Sequence, residues 1–180
     1  MKRLFCVIPF VCLLCFVVGC QDKAARAELE EFKAQAALEE QNKELVKSLL
    51  EELNKGNADI WKELCAPEFV YYSPSESPEP MSMDETIECF QMAYKGFPDI
   101  NWKTQDLIAK GDKVIARITQ AGTHEEEYRG IPATGNKIEF GVIPIFQFKD
   151  GKCVEIREEA DLLGFMQQLG MELKPKETEK

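Results

Sequence analysis

Few residues of this chain can do chemistry. His124 is the only histidine, and it stands beside three glutamates in "GTHEEEYRG", residues 122–130. An imidazole titrates near neutrality and shuttles protons readily. The second group with catalytic potential is Asp161 of "EEADLLG", where Ala160 and the following leucines offer apolar neighbours. Removing a proton beside a carbonyl needs a base and a donor for the enolate oxygen, and a carboxylate does this work where burial tunes it. Both residues have plain alternatives. Asp161 has the type and place of an N-cap for a short closing helix, and His124 at a strand end can be a solvated polar residue.

Strand alternation groups further candidates. His124, Glu126 and Tyr128 fall on one face of their segment, and Glu125, Glu127 and Arg129 on the other. In the last strand Glu155, Arg157, Glu159 and Asp161 share a face, opposite Val154, Ile156, Glu158 and Ala160. If His124 and Asp161 face one pocket, then Glu126, Tyr128, Arg157 and Glu159 are ligand-binding candidates suited to a polar or charged molecule. A buried Arg157 is either paired with Glu126, Glu155 or Glu159, or grips a ligand carboxylate. Tyr71 and Tyr72 point to opposite sides of their strand, so one of them faces the pocket, and Tyr72 joins the ligand-binding candidates. No CxxC or Cys/His spacing suggests a metal. Gly130 and Gly135 precede no helix that could hold a phosphate, and the expectation is a site with no metal and no cofactor.

The first residues stand outside the fold argument. "MKRLFCVIPFVCLLCFVVGC" has a basic start, an apolar run too short for a comfortable span, and a small residue before Cys20. It resembles the lipobox of bacterial lipoproteins, which implies a signal peptide over residues 1–19 and a lipid on Cys20; an ordinary secretory signal or an uncleaved anchor are the alternatives. The expected place is the bacterial cell envelope, extracytoplasmic and lipid-anchored. Loss of Lys2 and Arg3 leaves 20 of 22 basic residues against 32 acidic, a net of −12. So acidic a surface repels phosphate backbones and anionic headgroups, which argues against nucleic acid and leaves membrane attachment to the lipid. Cys65, Cys89 and Cys153 remain, an odd number that permits at most one internal bridge; all three read as structural thiols.

The elements that must position these groups follow along the chain. Residues 20–40 read as the lipid-anchored cysteine and a helical or flexible tether, rich in helix formers but with only Leu29, Phe32 and Leu38 as large apolar residues. From Asn42, apolar residues at 45, 46, 49, 50 and 53 predict a core helix, ended by "NKGN". A short helix over "ADIWKELCA" stops before Pro67, and "EFVYYS" alternates as a strand. Ser82 and Glu85 predict a capping box opening a third helix over "SMDETIECFQMAYKGF". Four strands follow, separated by turn signals that end in "KDG" at 149, then a short helix over "LLGFMQQLGM". Sequential hairpins without crossover helices make an antiparallel sheet with the helices on one face. The domain is expected over 41–172, with a charged tail over 173–180.

That order resembles the cone-shaped α+β fold of nuclear transport factor 2 and ketosteroid isomerase. The fragments "FPDINW", "GTHEEEYRGIPATG", "FQFKDGKCVE" and "DLLGFMQQLG" are further similar to the SnoaL-like polyketide cyclase family. The resemblance implies N-terminal helices on a curved antiparallel sheet enclosing a pocket. It also implies intramolecular aldol closure without cofactor or metal, with Asp161 at the position of the acid/base aspartate and His124 at that of the assisting histidine. Arg157 stands where the family commonly has tryptophan, which argues against an aromatic polyketide substrate. Fold alone does not give the reaction. Two readings stand: a cyclase or isomerase of a small carbonyl compound, and a non-catalytic module that binds a small ligand or forms a homodimer.

Overall fold

The computed structural model describes residues 8–73, 78–172 and 174, with side chains from residue 23 onward. The signal segment, the lipid site Cys20 and the charged tail therefore lie wholly or mostly outside the described side chains. Among the described residues no helix is long and apolar enough to cross a membrane.

The chain divides into two compact units, 1–38 and 39–180. Helix α1, Ile8–Asn54, belongs to both, so the tether and the core helix are one element rather than two. The reason is local: nothing between Gln35 and Asn42 breaks a helix, and Ala, Leu, Glu and Gln all favour one. In the first unit Leu29 and Phe32 are 52 % and 62 % exposed, so neither of these large apolar side chains joins a core. From Asn42 onward Val46, Leu49, Leu50 and Leu53 form a buried stripe at helical spacing.

The second unit is mixed α+β, as the sequence pattern predicts. Its remaining helices are α2 (Ile60–Leu64), α3 (Met83–Gly96) and α4 (Leu162–Gln168). The strands are β1 (Cys65–Tyr72), β2 (Asn101–Lys110), β3 (Lys113–Thr123), β4 (Lys137–Lys149) and β5 (Lys152–Ala160), in the order β1-β5-β4-β3-β2. They form a curved, unclosed sheet with helices packed on it. β2 to β5 are antiparallel neighbours. β1 departs from the expected all-antiparallel sheet, because it pairs parallel to β5. Its partner is 80 residues away, and α3 with three strands serves as the long connection that parallel pairing needs. Cys65, expected in a helix, opens β1.

Local signals explain several junctions. Ser82 Oγ accepts from Glu85 N at 3.4 Å, and the Glu85 carboxylate accepts from Ser82 N at 2.7 Å, closing the capping box of α3. The Ser82 N–H and the Ser82 hydroxyl, both donating to the Glu85 carboxylate, hold it below its ordinary value. Asp150 and Gly151 both have positive φ, 51° and 76°, the geometry that a two-residue hairpin of primed type needs. Along β4, Ile138, Phe140, Val142, Pro144, Phe146 and Phe148 alternate inward. With Val114, Ala116 and Ile118 of β3 they form the floor of the core.

Candidate functional site

The concave side of the sheet carries three adjoining, partly open hollows of about 60, 20 and 40 Å³, and Glu158 lines all of them. The largest is walled by Tyr71 of β1, Phe90 and Ala93 of α3, Trp102 of β2, Gln120 of β3, and Tyr128. A water needs about 10–15 Å³ on such a measure, so the space admits a small molecule rather than a polycyclic one. The Tyr71 hydroxyl donates a hydrogen bond to Glu158 Oε2. Phe90 and Trp102 stand 5.5 Å apart between ring centroids, and Trp61 lies 5.2 Å from Phe90, giving the hollow an aromatic wall. A carboxylate, a phenol and the Gln120 amide inside that wall supply a base and donors at one small site of mixed polar and apolar lining.

Glu158 was not among the residues that sequence reasoning selected, and the cause lies in β5. Between Gln147↔Glu155 and Phe148↔Cys153 the pairing skips Val154, a bulge that reverses the inward phase. Buried Cys153 precedes it; Ile156, Glu158 and Ala160 face inward after it. Counting back in twos from Asp161 gives the outer set. A usable signal was present: Ile156 is the strong hydrophobe between Glu155 and Arg157, and the next residue in its phase is Glu158.

The expected inward set is thereby corrected. Asp161 is exposed and caps α4, its Oδ1 accepting from Gly164 N at 2.9 Å. Glu159 is exposed, and both border an open, mainly apolar depression of about 370 Å³ with Arg117 and Ile143 on the sheet's outer side. Arg157 is exposed as well. Its guanidinium pairs with Glu155 at 2.7 and 3.2 Å and covers the Tyr72 ring at 4.2 Å, and the Glu155 carboxylate raises its pKa further. Tyr72 thus serves the outer face, and Tyr71 the inner one.

The loop after β3 behaves differently again. β3 ends at Thr123, so strict alternation does not continue into it. Glu125 N and Glu126 N both donate to Gly96 O at the end of α3, and the Glu126 side chain is exposed, contrary to its expected place in the pocket. Tyr128 does reach the hollow. It packs against Gly96, where a Cβ would stand 2.9 Å from Tyr128 Cβ. His124 is fully buried, stacked on Phe97 at 4.9 Å, with Nδ1 3.1 Å from Thr134 Oγ1. It is a packed loop anchor, and it is not among the residues walling the hollows. Asp99 of the "FPD" run holds the start of this loop, accepting from Thr123 N at 2.6 Å and Thr123 Oγ1 at 2.8 Å. Those bonds hold its carboxyl below the ordinary value.

Among the described residues no cluster of His, Cys, Asp and Glu could hold a metal ion. Residues 43–169 match the SnoaL-like polyketide cyclase family. The chain is similar to IdmH of Streptomyces antibioticus, a proposed polyketide cyclase, at 27 % identity and TM-score 0.64, over 72 % of this chain and 98 % of that one. It is similar to TsrD of Streptomyces laurentii at 28 % identity and TM-score 0.64, over 72 % and 95 %. AclR of Streptomyces galilaeus, a proposed hydroxylase, shares the fold at TM-score 0.67 and 24 % identity, over 73 % and 97 %. No curated protein sequence matches the chain.

Proposed function

The chain belongs to the SnoaL-like polyketide cyclase family, and from that premise we propose that its domain is a metal- and cofactor-independent acid/base enzyme acting on a small carbonyl compound. The observation that carries this reading is Glu158, a single carboxylate shared by the three adjoining hollows. Glu158 takes the proton beside the carbonyl. Tyr71, donating to the same carboxylate, orients it, and the Gln120 amide faces the developing enolate oxygen. The enolate then closes on a second carbonyl or is reprotonated, giving a cyclase or an isomerase. The small volume favours a short substrate. Asp161 and His124 have structural roles in this scheme.

The test is enolisation itself. A panel of small ketones and β-dicarbonyl compounds is incubated with the protein in D₂O and followed by proton NMR. Deuterium should enter beside the carbonyl of at least one compound, and Glu158→Gln should abolish it. Exchange that survives Glu158→Gln overturns the assignment; no exchange, together with a small molecule that copurifies in the pocket, favours a non-catalytic binding module.

For the N-terminus we propose a lipid on Cys20 and an extracytoplasmic, membrane-anchored domain. The support is the basic start, the apolar run and "VVGC". Metabolic labelling with a fatty acid should be lost in Cys20→Ala, and label that persists refutes the anchor.

A further inference from the structure

The reactive groups still unexplained are thiols. The cysteines with described side chains are Cys65, Cys89 and Cys153, and of these Cys89 lines the hollow. Cys65 opens β1, Cys153 is the second residue of β5, and the two are register partners across the sheet's parallel pair. Neighbouring strands lie about 4.7–4.9 Å apart, inside the Cα separation of about 4.4–6.8 Å that a disulfide takes. Both side chains are buried, at 4 % and 3 % exposure, so both project to the core side. Cys153 Sγ lies 3.6 Å from Glu155 O, on its own strand. This register is not inherited from the ladder beyond it: the next pair is Val70↔Glu155, five residues on in one strand and two in the other. β1 therefore holds three more residues than β5 between two fixed points, and one of them is the cysteine pair.

We propose that Cys65 and Cys153 form a disulfide that staples β1 to β5. The oxidant is a small-molecule or protein disulfide. One cysteine thiolate attacks an oxidant sulfur and expels a thiol. The second cysteine then attacks the mixed disulfide and releases the other thiol. Two protons and two electrons leave the protein, one S–S bond breaks and one forms. The neighbouring Cys153 thiol and burial hold the Cys65 thiol far above its ordinary value in the closed fold, so the bond forms while the edge strand docks or briefly opens.

The consequence is positional. β1 is an edge strand whose sole strand neighbour is β5, and these two strands carry Tyr71 and Glu158. A staple at their shared start resists peeling of the edge and keeps phenol and carboxylate in reach of each other. Cys89 takes no part; it lies on α3, with Arg129 Nη2 3.2 Å from its sulfur.

The experiment uses the full chain refolded in mixed oxidised and reduced glutathione, then blocked with iodoacetamide, digested and read by mass spectrometry. A Cys65–Cys153 peptide pair should appear, about 2 Da lighter than the two thiol peptides together and resolved by reductant. The thermal midpoint should exceed that of the Cys65→Ser/Cys153→Ser double variant by about 5–10 °C. If refolding fails, reduced native protein exposed to diamide gives the same readout. Both thiols alkylated in native protein after oxidation, or a bridge from Cys89 to either one, overturns the proposal.

Discussion

Arg157 and Glu158 are adjacent in sequence and sit on opposite faces of the sheet. On the outer face Arg157 is exposed, saturated by Glu155 and laid over Tyr72, in a row that the register continues through Ile145, Ile115 and Ile108. On the inner face Glu158 meets Tyr71 within an aromatic wall. A charge that is exposed, paired and screened has little left to offer a ligand. A half-buried carboxylate that lines a small hollow stands beside whatever enters there. Which of two neighbouring residues reaches the hollow follows from the side of the sheet, and a shift of one residue decides the side.

The strongest way to break this comparison is to neutralise each face in turn. Glu158→Gln keeps the shape and removes the base, so turnover should fall by about 10²–10⁴-fold with the fold intact by circular dichroism. Asp161→Asn should leave turnover within a factor of about two, since a cap contributes to stability rather than to the reaction. The reverse outcome in steady-state rates would return the site to the outer face. Next comes the wall of the hollow. Gly96→Ala places a methyl against Tyr128, and overpacking of this kind costs about 1–3 kcal/mol. Urea denaturation should show that loss although alanine is the better helix former.

These contrasts also mark what the sequence could tell. Ser82 with Glu85, the "KDG" turn and the alternation of β4 are local signals, and each specifies its element without help from distant residues. The parallel seat of β1 depends on a partner 80 residues away and has no local signature. Helix α1 runs on past Glu40 because continuity needs only the lack of a breaker, which a change in composition does not supply. At the site, Glu126 and Tyr128 were both grouped with His124 by extending strand alternation beyond Thr123; Tyr128 lines the hollow through the path of the loop and not through that alternation, and Glu126 is exposed. Glu158 was legible in principle through Ile156. It was missed because the inward phase was anchored on Asp161, and the bulge at Val154 leaves Cys153 in agreement with that wrong anchor.

Two smaller effects sharpen the outer half of the comparison. Asp161→Ala removes the bond to Gly164 N and should lower stability by about 1 kcal/mol, visible as a midpoint shift of about 3–5 °C, with exchange chemistry retained. Asp99 supplies a pH dependence. Its carboxyl lies below the ordinary value because Thr123 donates two hydrogen bonds to the ionised form. Its contribution is therefore present above the unfolded pKa of about 3.9 and is lost as pH falls through the depressed folded value. The group is exposed, so the contribution should stay under about 1 kcal/mol. Asp99→Asn should flatten the acid limb of a stability profile below about pH 4, and an unchanged limb would assign acid sensitivity to other carboxylates.

The smallest expected effect is the most discriminating. Arg157→Ala removes a guanidinium that the sequence places beside the site and the fold places behind it. Its partners, Glu155 and the Tyr72 ring, share its exposed surface, and solvent screens both interactions. Turnover, substrate affinity and the denaturation midpoint should all match the parent protein within error. A selective rise in KM would mean that Arg157 reaches the ligand, which the observed register forbids unless β5 slips by one residue. That slip would carry Glu158 outward at the same time, so the Arg157 variant tests the placement of Glu158 without touching it.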